Sequence, residues 1–225
     1  MEKIGVLINM SGPLLNNRDY FVGTVKETLK NFGYRSRSDS DILSTYESYP
    51  EIFGDKMEIN SKYTIKHFKE ALELNVMNNK YSIDHTKEGY RLMKALERPE
   101  YSDLSIVLFG REPDEIVDQY KRQRLIPTRY PILTGSIMED SGPREYLEKA
   151  REMAGSDCAN TVVVTDSVQK LRLAKELGMV PIGIDWGWHN IRHRDLFSEN
   201  IDVAADHAQI IKEIEFVRNR AKKSI

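Results

Sequence analysis

Residues 161–189, TVVVTDSVQKLRLAKELGMVPIGIDWGWH, contain the pattern that decides the fold. The apolar run at 161–164 is typical of a strand that is buried on both faces. Val168, Leu171 and Ala174 follow at helical spacing, and a second apolar run occupies 181–184. This stretch therefore predicts a strand, a helix and a second strand.

The same alternation extends outward from this unit. Apolar runs that predict strands lie at residues 4–8, 104–108, 132–133, 161–164, 181–184 and 201–203. Helical spacing recurs between and after them, as in Leu147/Ala150/Ala154 and in Ile210/Ile211/Ile214/Val217. From about residue 100 onward, the repetition of strand and helix predicts a doubly wound α/β fold with a parallel sheet and right-handed crossovers.

Residues 16–82 interrupt this alternation. They show helical spacing at Val22/Val25/Leu29/Phe32 and at Ile65/Phe68/Leu72/Val76, without a convincing buried strand. We therefore predict an α/β core formed by residues 1–15 and 83–225, with a helical cap at 16–82 inserted after the first strand. Such an insertion lies over the carboxyl edge of the sheet, where open α/β sheets bind ligands.

Composition excludes several classes of protein. A chain of 225 residues with 40% hydrophobic and 30% charged residues can bury a full core. The net charge of -2 gives no general attraction to nucleic acid or to an anionic membrane, and there is no apolar run long enough to span a bilayer. The single cysteine, Cys158, excludes an internal disulfide framework. A cytoplasmic protein is expected, and its oligomeric state is open.

With these residues and this layout, the chain resembles the haloacid dehalogenase superfamily, in particular its phosphoglycolate-phosphatase-like members with a helical cap. Residues 161–189 are similar to the fourth motif of that family and its following strand. Residues 4–17 resemble the first motif, Asp-x-Asp-Gly-Thr-Leu. The second and third motifs fall at the loop that begins with Phe109 and at the segment that begins with Gly142.

The first motif has lost both carboxylates on which the family's chemistry depends. The resemblance places the nucleophilic aspartate at Asn9 and the acid-base aspartate at Ser11. An amide is a poor nucleophile, and a hydroxyl does not exchange protons near neutral pH as a carboxylate does. Pro13 replaces the usual threonine and removes a backbone donor. We therefore expect the covalent aspartyl-phosphate route to be closed.

The supporting positions have changed as well. Phe109 stands where the family has a Ser or Thr that holds a phosphoryl oxygen, and Gly142 stands at the position of the lysine. Arg111 or Arg144 is a candidate to reach the same space. In the fourth motif Asp166 keeps the position of a magnesium ligand, but the second acidic residue has become Lys170.

Two interpretations of Asp166 are open. With the Asn9 side-chain oxygen and the Ser11 carbonyl it can form a weak magnesium site, since magnesium accepts one or two carboxylates together with water. Alternatively, Asp166 caps the helix that begins near Ser167, which its position suits. The ammonium of Lys170 is a candidate to take the place of the metal.

Aromatic and histidine pairs offer further candidates. His189 and His193 are four residues apart, but no third zinc ligand accompanies them, which favours a surface loop. Trp186 and Trp188 either stack on a ligand or, as we favour, pack against the cap or a neighbouring loop. Four aromatic residues of the insertion are interpreted as the core of the cap: Phe21, Tyr63, Phe68 and Tyr81.

Two functions remain. The first is a binding or regulatory protein for a phosphorylated ligand or a protein partner, with no cofactor. Arg111, Arg144 and Lys170 would then contact the anion, together with the loop at Ser11 and Gly12. The second is a magnesium-dependent hydrolase of small phosphate esters that works without a covalent step. The changes at several functional positions favour the first.

Overall fold

The computed structural model describes residues 3–45, 50–59, 62–78, 83–135, 142–188 and 196–223. Six strands form one parallel sheet in the order β5-β4-β1-β6-β7-β8. These strands are β1 (Ile4–Asn9), β4 (Leu104–Phe109), β5 (Ile132–Leu133), β6 (Thr161–Thr165), β7 (Val180–Ile184) and β8 (Asp202–Ala204). All six predicted strands are therefore confirmed, each with its ends shifted by at most one residue.

Helices cover both faces of the sheet. Along β1 every residue is buried, and alternate side chains enter different cores: Val6 and Ile8 one, Leu7 the other. The Leu7 side is covered by α7 (Pro143–Ala154), and the Val6 side by α5 (Lys87–Leu96) and α9 (His207–Lys223). This arrangement confirms the predicted doubly wound α/β fold. Two further helices follow β4 and β6, namely α6 (Asp114–Arg122) and α8 (Val168–Glu176).

In the described parts of the segment between β1 and α5, four helices are present, and they confirm the predicted helical insertion. They are α1 (Arg18–Asn31), α2 (Asp39–Leu43), α3 (Pro50–Met57) and α4 (Lys62–Asn78). The ring of Phe68 packs against Phe32 and Phe53, with centroids 5.4 Å apart in each pair. Tyr81 and the side chain of Tyr63 lie outside the described residues.

The insertion is framed by a strand pair that the sequence did not reveal. Strand β2 (Leu15–Asn16) pairs antiparallel with β3 (Asp84–His85), with Leu15 opposite His85 and Asn16 opposite Asp84. Two residues are too few to produce a periodic apolar pattern, so the sequence carried no signal for either strand. The chain therefore enters and leaves the insertion side by side.

No helix in the described ranges is long and apolar enough to span a membrane. The 3₁₀ turns are short and connect elements of the core, at Pro99–Tyr101, Cys158–Asn160 and Phe197–Glu199.

Candidate functional site

The carboxyl ends of β1, β4 and β6 meet at one edge of the sheet. Asn9 is in register with Phe109 on one side, and Ile8 with Val164 on the other. The strand order reverses at β1, with β4 and β5 on one side and β6, β7 and β8 on the other. Open parallel sheets bind ligands at the point where the strand order reverses. The residues that follow these three strands are therefore brought together.

The loop after β1 is a tight turn. The amide of Gly12 donates to the Leu15 carbonyl at 3.0 Å, and the amide of Leu15 donates to the Met10 carbonyl at 2.9 Å. Gly12 has a φ of +93°, a conformation that glycine adopts at low cost. A Cβ at this position would lie 2.5 Å from each carboxylate oxygen of Asp166. The turn therefore requires glycine for both its backbone angle and its packing.

Asn9 ends β1 and is 1% exposed. Its side-chain amide donates to the Thr165 hydroxyl at 3.3 Å, while its Oδ1 has no hydrogen-bond partner among the described atoms. The amide is thus held by the neighbouring strand β6.

Ser11 belongs to a buried hydrogen-bonded group. Its hydroxyl donates to Oε1 of Glu112 and accepts from Nδ2 of Asn17 at 2.8 Å. Nδ2 of Asn17 also lies 3.4 Å from the hydroxyl of Tyr120. Burial, with a smaller contribution from the Glu112 charge, raises the pKa of Tyr120 well above its usual range, so the phenol stays neutral. Glu112 thus brings a buried carboxylate into contact with Ser11.

Sequence reasoning missed Glu112 as a site residue. It follows β4 in the stretch Phe109-Gly-Arg-Glu, in which only Phe109 and Arg111 are predicted site residues. The available signal was a pair of charged residues directly after a buried strand, at the edge where the first motif also ends. The close approach of the Glu112 carboxylate to Gly110 is visible only in three dimensions: a Cβ on Gly110 would clash with Oε2.

Phe109 and Arg111 flank the same edge. The guanidinium carbon of Arg111 lies 5.8 Å from the centre of the Tyr146 ring, and Arg111 is 1% exposed. The Tyr146 hydroxyl donates to the carbonyls of Gly110 and Leu133, which ties α7 to this loop. Phe109 presents its ring to Lys170, whose ammonium lies 5.0 Å from the ring centre.

The predicted cap role of Asp166 is wrong. The residue that caps α8 is Ser167, whose hydroxyl accepts from the Lys170 amide at 3.4 Å. The Asp166 side chain instead lies between the backbones of Gly12 and Gly187: a Cβ on either glycine would be 2.5 Å or less from its carboxylate. Aspartate and serine are equally good helix caps. Because Ser167 is the N-cap of α8, the Asp166 side chain lies at the site instead.

Arg144 does not join this group. It is exposed, lies in the first turn of α7, and its guanidinium pairs with Glu176 at 2.9 Å, at the far end of α8 from Lys170. Gly142 precedes α7 as its N-cap residue and supplies no side chain. The structure therefore brings together Asn9, Ser11, Gly12, Phe109, Arg111, Asp166 and Lys170, but not Arg144.

The two tryptophans make packing contacts, as we favoured. Nε1 of Trp186 donates to the Pro13 carbonyl at 3.2 Å, which holds the loop after β1. The ring of Trp188 stacks on Phe21 of α1, with centroids 6.1 Å apart and planes inclined by 19°. Trp188 thus joins the sheet edge to the insertion. His189 and His193, the candidate zinc ligands, lie outside the described residues.

Four ionisable side chains are buried at this edge. Arg111 is 1% exposed, Asp166 and Lys170 are 2% exposed, and Glu112 is 6% exposed. Each of them has an interaction partner. Two cations and two carboxylates cancel in formal charge, and buried charges are tolerated only when they are compensated. We call these four residues the ionic cluster.

The donor set of the cluster does not fit magnesium. Its carboxylates are Asp166 and Glu112, and the described part of the chain contains no group of three or more His, Cys, Asp or Glu side chains arranged to hold a metal. Lys170 and Arg111 carry positive charges into the same buried edge. A divalent cation there would face repulsion from these two cations.

Sequence comparison gives no relative for this chain: no family model and no curated protein matches it. Solved structures, in contrast, are similar over almost their whole length. A hydrolase from Pseudomonas syringae has a TM-score of 0.75 at 13% identity, covering 95% of this chain and 98% of its own. A haloacid dehalogenase-like family protein from Streptococcus pneumoniae has 0.74 at 15%, with 94% and 98% covered.

A third solved structure has a more specific description. It is a predicted phosphoglycolate phosphatase from Haemophilus somnus, with a TM-score of 0.70 at 15% identity, covering 94% of this chain and 98% of its own. At such identities the likeness concerns the path of the backbone, so the side chains described above have to be interpreted on their own chemistry.

Proposed function

We propose that this chain, which has the haloacid dehalogenase fold, does not carry out aspartyl-phosphate chemistry and acts as a binding or regulatory protein. The observation that carries this proposal is the buried, charge-balanced ionic cluster at the edge where the fold would bind metal and phosphate. The fold alone does not imply the activity.

In a catalytic site of this fold, a bound metal ion and a bound phosphate contribute charges. In this chain, side chains of the ionic cluster contribute such charges instead. Lys170 provides a cation where the family's motif would help to hold a metal, and Glu112 provides a carboxylate beside Ser11, where a phosphate would be handled. Together with Asp166 and Arg111, these two residues give the ionic cluster no net formal charge. An added metal ion would upset this balance, which argues against a resident metal.

The reacting groups are also absent. Asn9 offers an amide, held by Thr165, in place of the attacking carboxylate. Ser11 offers a hydroxyl whose proton is engaged with Glu112. Neither group forms the aspartyl-phosphate intermediate or protonates a leaving alcohol near neutral pH. The retained function is therefore proposed to be recognition of a phosphorylated ligand or of a protein partner.

One observation favours a second candidate, the hydrolysis of phosphate esters without a covalent intermediate. Glu112 brings a carboxylate to the position of the missing acid-base group, so it could take a proton from an attacking water. This route requires the cleft to open, because Ser11 and the ionic cluster are buried.

The decisive experiment compares hydrolysis of a panel of phosphate monoesters, with magnesium, by the unmodified protein and by Asp166→Ala, Glu112→Gln and the double variant Asn9→Asp/Ser11→Asp. We expect turnover from none of them. Turnover by the unmodified protein that is lost in Glu112→Gln or Asp166→Ala would reject the proposal and support the hydrolase.

A positive test uses the charge balance itself. Glu112→Gln leaves one excess positive charge in the cluster, so orthophosphate should raise the melting temperature of this variant more than that of the unmodified protein. An exposed control, Glu27→Gln, should respond as the unmodified protein does. If orthophosphate stabilises the unmodified protein and Glu112→Gln equally, the charge of Glu112 does not stand in for an anion.

A further inference from the structure

A cavity of about 260 Å³ lies between α5 and the segment that follows α6, and none of its lining residues belongs to the ionic cluster. Its apolar surface is formed by Leu14, Met93, Leu125 and Ile126, all of which are buried. This volume is close to the lower end of cavities that hold small organic ligands. Apolar side chains of this kind favour a ligand with an apolar body.

Three cations line the same cavity, but their environments differ. The Lys94 ammonium pairs with Glu97 at 3.0 Å, and the Lys121 ammonium pairs with Asp118 at 3.1 Å. Arg124 lines the cavity, is exposed, and forms no ion pair with any described residue. Arg124 is therefore the group in the lining that is available to an anion, and guanidinium binds carboxylate and phosphate through two parallel hydrogen bonds.

The backbone of Arg124 supports this role independently. Arg124 follows the end of α6 with a φ of +60°, in the left-handed region, and its amide donates to the Lys121 carbonyl at 3.0 Å. Glycine is the usual residue at this position after a helix, because a side chain is strained there. An arginine with a strained backbone conformation beside a cavity indicates a function for its side chain.

An aromatic pair completes the lining. Tyr90 is 49% exposed, and its ring meets the imidazole of His85 edge-on with centroids 5.5 Å apart. The Lys94 ammonium lies 5.8 Å from the centre of the Tyr90 ring. An exposed phenol at the entrance of an apolar cavity offers a face on which a flat ligand can stack.

We propose that this cavity binds a small organic anion with an aromatic ring, an arylalkyl carboxylate or an arylalkyl phosphate, whose charged group is held by Arg124. The site differs from the one discussed under the proposed function and does not depend on it. Leu14, from the loop after β1, and His85, from β3, both line the cavity. A bound ligand therefore contacts the strand pair through which the helical insertion is attached.

The test is a ¹H–¹⁵N NMR titration of the full chain with 4-phenylbutyrate and, as its uncharged counterpart, 4-phenylbutanol. We expect saturable shifts of the amides of Tyr90, Met93 and Arg124 with the carboxylate, and at least about fivefold weaker binding of the alcohol. Absence of saturable shifts at these amides, or equal binding of the two compounds, would overturn the proposal.

Matched variants assign the charge contact. Arg124→Gln should weaken binding of 4-phenylbutyrate at least about fivefold, whereas Arg122→Gln, two residues earlier and outside the cavity lining, should leave it unchanged. Arg124→Gly should weaken binding in the same way while raising the melting temperature, because it relieves the left-handed backbone. Binding that survives both Arg124 variants would reject Arg124 as the anion contact.

Discussion

At the scale of single residues, Gly12 carries two constraints at once. Its φ of +93° is unfavourable for any residue with a Cβ, and that Cβ would meet the Asp166 carboxylate at 2.5 Å. Gly12→Ala is expected to lower the free energy of unfolding by at least about 2 kcal/mol, combining backbone strain with the clash. Urea denaturation measures this change.

Gly33→Ala is the matched control for this change. Gly33 has a φ of +75°, but a Cβ there would have no atom within 4 Å. It should therefore lose only the backbone component, about 1 kcal/mol. Equal losses at the two glycines would mean that Asp166 can move aside.

Lys170 supplies one of the two buried positive charges of the ionic cluster. Removing one member of a compensated buried group leaves the others uncompensated, so Lys170→Met is expected to lower the free energy of unfolding by about 3 to 5 kcal/mol. Arg144→Met removes a cation from an exposed pair with Glu176 and should cost less than about 1 kcal/mol. A small loss in Lys170→Met would show that its ammonium does not balance buried carboxylates.

At the residue scale, the position of a side chain was predictable where it follows a buried strand. Asn9 and Ser11 lie at the end of β1 and Lys170 lies after β6, so the structure brings them to one edge, while the roles assigned to them stay predictions. The sequence did not predict which of two neighbouring side chains turns toward the helix and which toward the site. Asp166 and Ser167 are both good caps, and only the path of the chain decides which side chain turns toward the helix.

At the scale of elements, the first turn of α8 connects the site to the sheet. The Ser167 hydroxyl accepts from the Lys170 amide, so it holds the backbone of the residue whose ammonium enters the ionic cluster. Ser167→Ala should lower the free energy of unfolding by about 1 kcal/mol. Ser36→Ala, in an exposed loop, should change it by less than about 0.5 kcal/mol. Thermal and urea denaturation would reveal the difference, and equal effects would argue that Ser167 contributes little as a cap.

The elements of the sheet were predictable because each contains a short run that is mostly apolar. A strand covered on both faces, such as β1, needs no alternation, and its short apolar run stands out from the charged helices around it. Strands β2 and β3 were not predictable, because Asp84 and His85 are exposed and polar and each strand has only two residues. Their pairing depends on contacts between distant parts of the chain.

At the scale of the whole molecule, a pair of hydrogen bonds to Glu88 joins the helix after the insertion to the last helix. Oε2 of Glu88, in α5, accepts from Nδ1 of His207 at 2.8 Å and from the His207 amide at 3.2 Å, at the start of α9. The hydrogen bond from the His207 side chain lowers the pKa of Glu88, assisted by the His207 amide and by Arg91. The tie therefore depends on an ionised Glu88.

A lowered carboxyl pKa determines the direction of the pH dependence. The stabilisation by Glu88 is fully present above the ordinary pKa of a glutamic acid, about 4.3, and is lost as the pH falls through the lower value in the folded protein. Glu88→Gln should lower the free energy of unfolding by about 1 kcal/mol at pH 7, and its difference from the unmodified protein should narrow only as the pH falls below about 4.3. Urea denaturation at pH 7 and in a series below about 4.3 would measure this difference, and a difference independent of pH would contradict this account.

The antiparallel pairing of Leu15–Asn16 with Asp84–His85 gives the molecule the connectivity of a β-hairpin whose turn has been expanded into four helices. In a hairpin, the two arms fix the register and the connection between them can vary in length at a small entropic cost. Exchange of the whole helical segment for a different one would therefore leave the ends of the core chain where they are. The helical segment is therefore an exchangeable part of the fold, and β2 and β3 fix the points at which it joins the core.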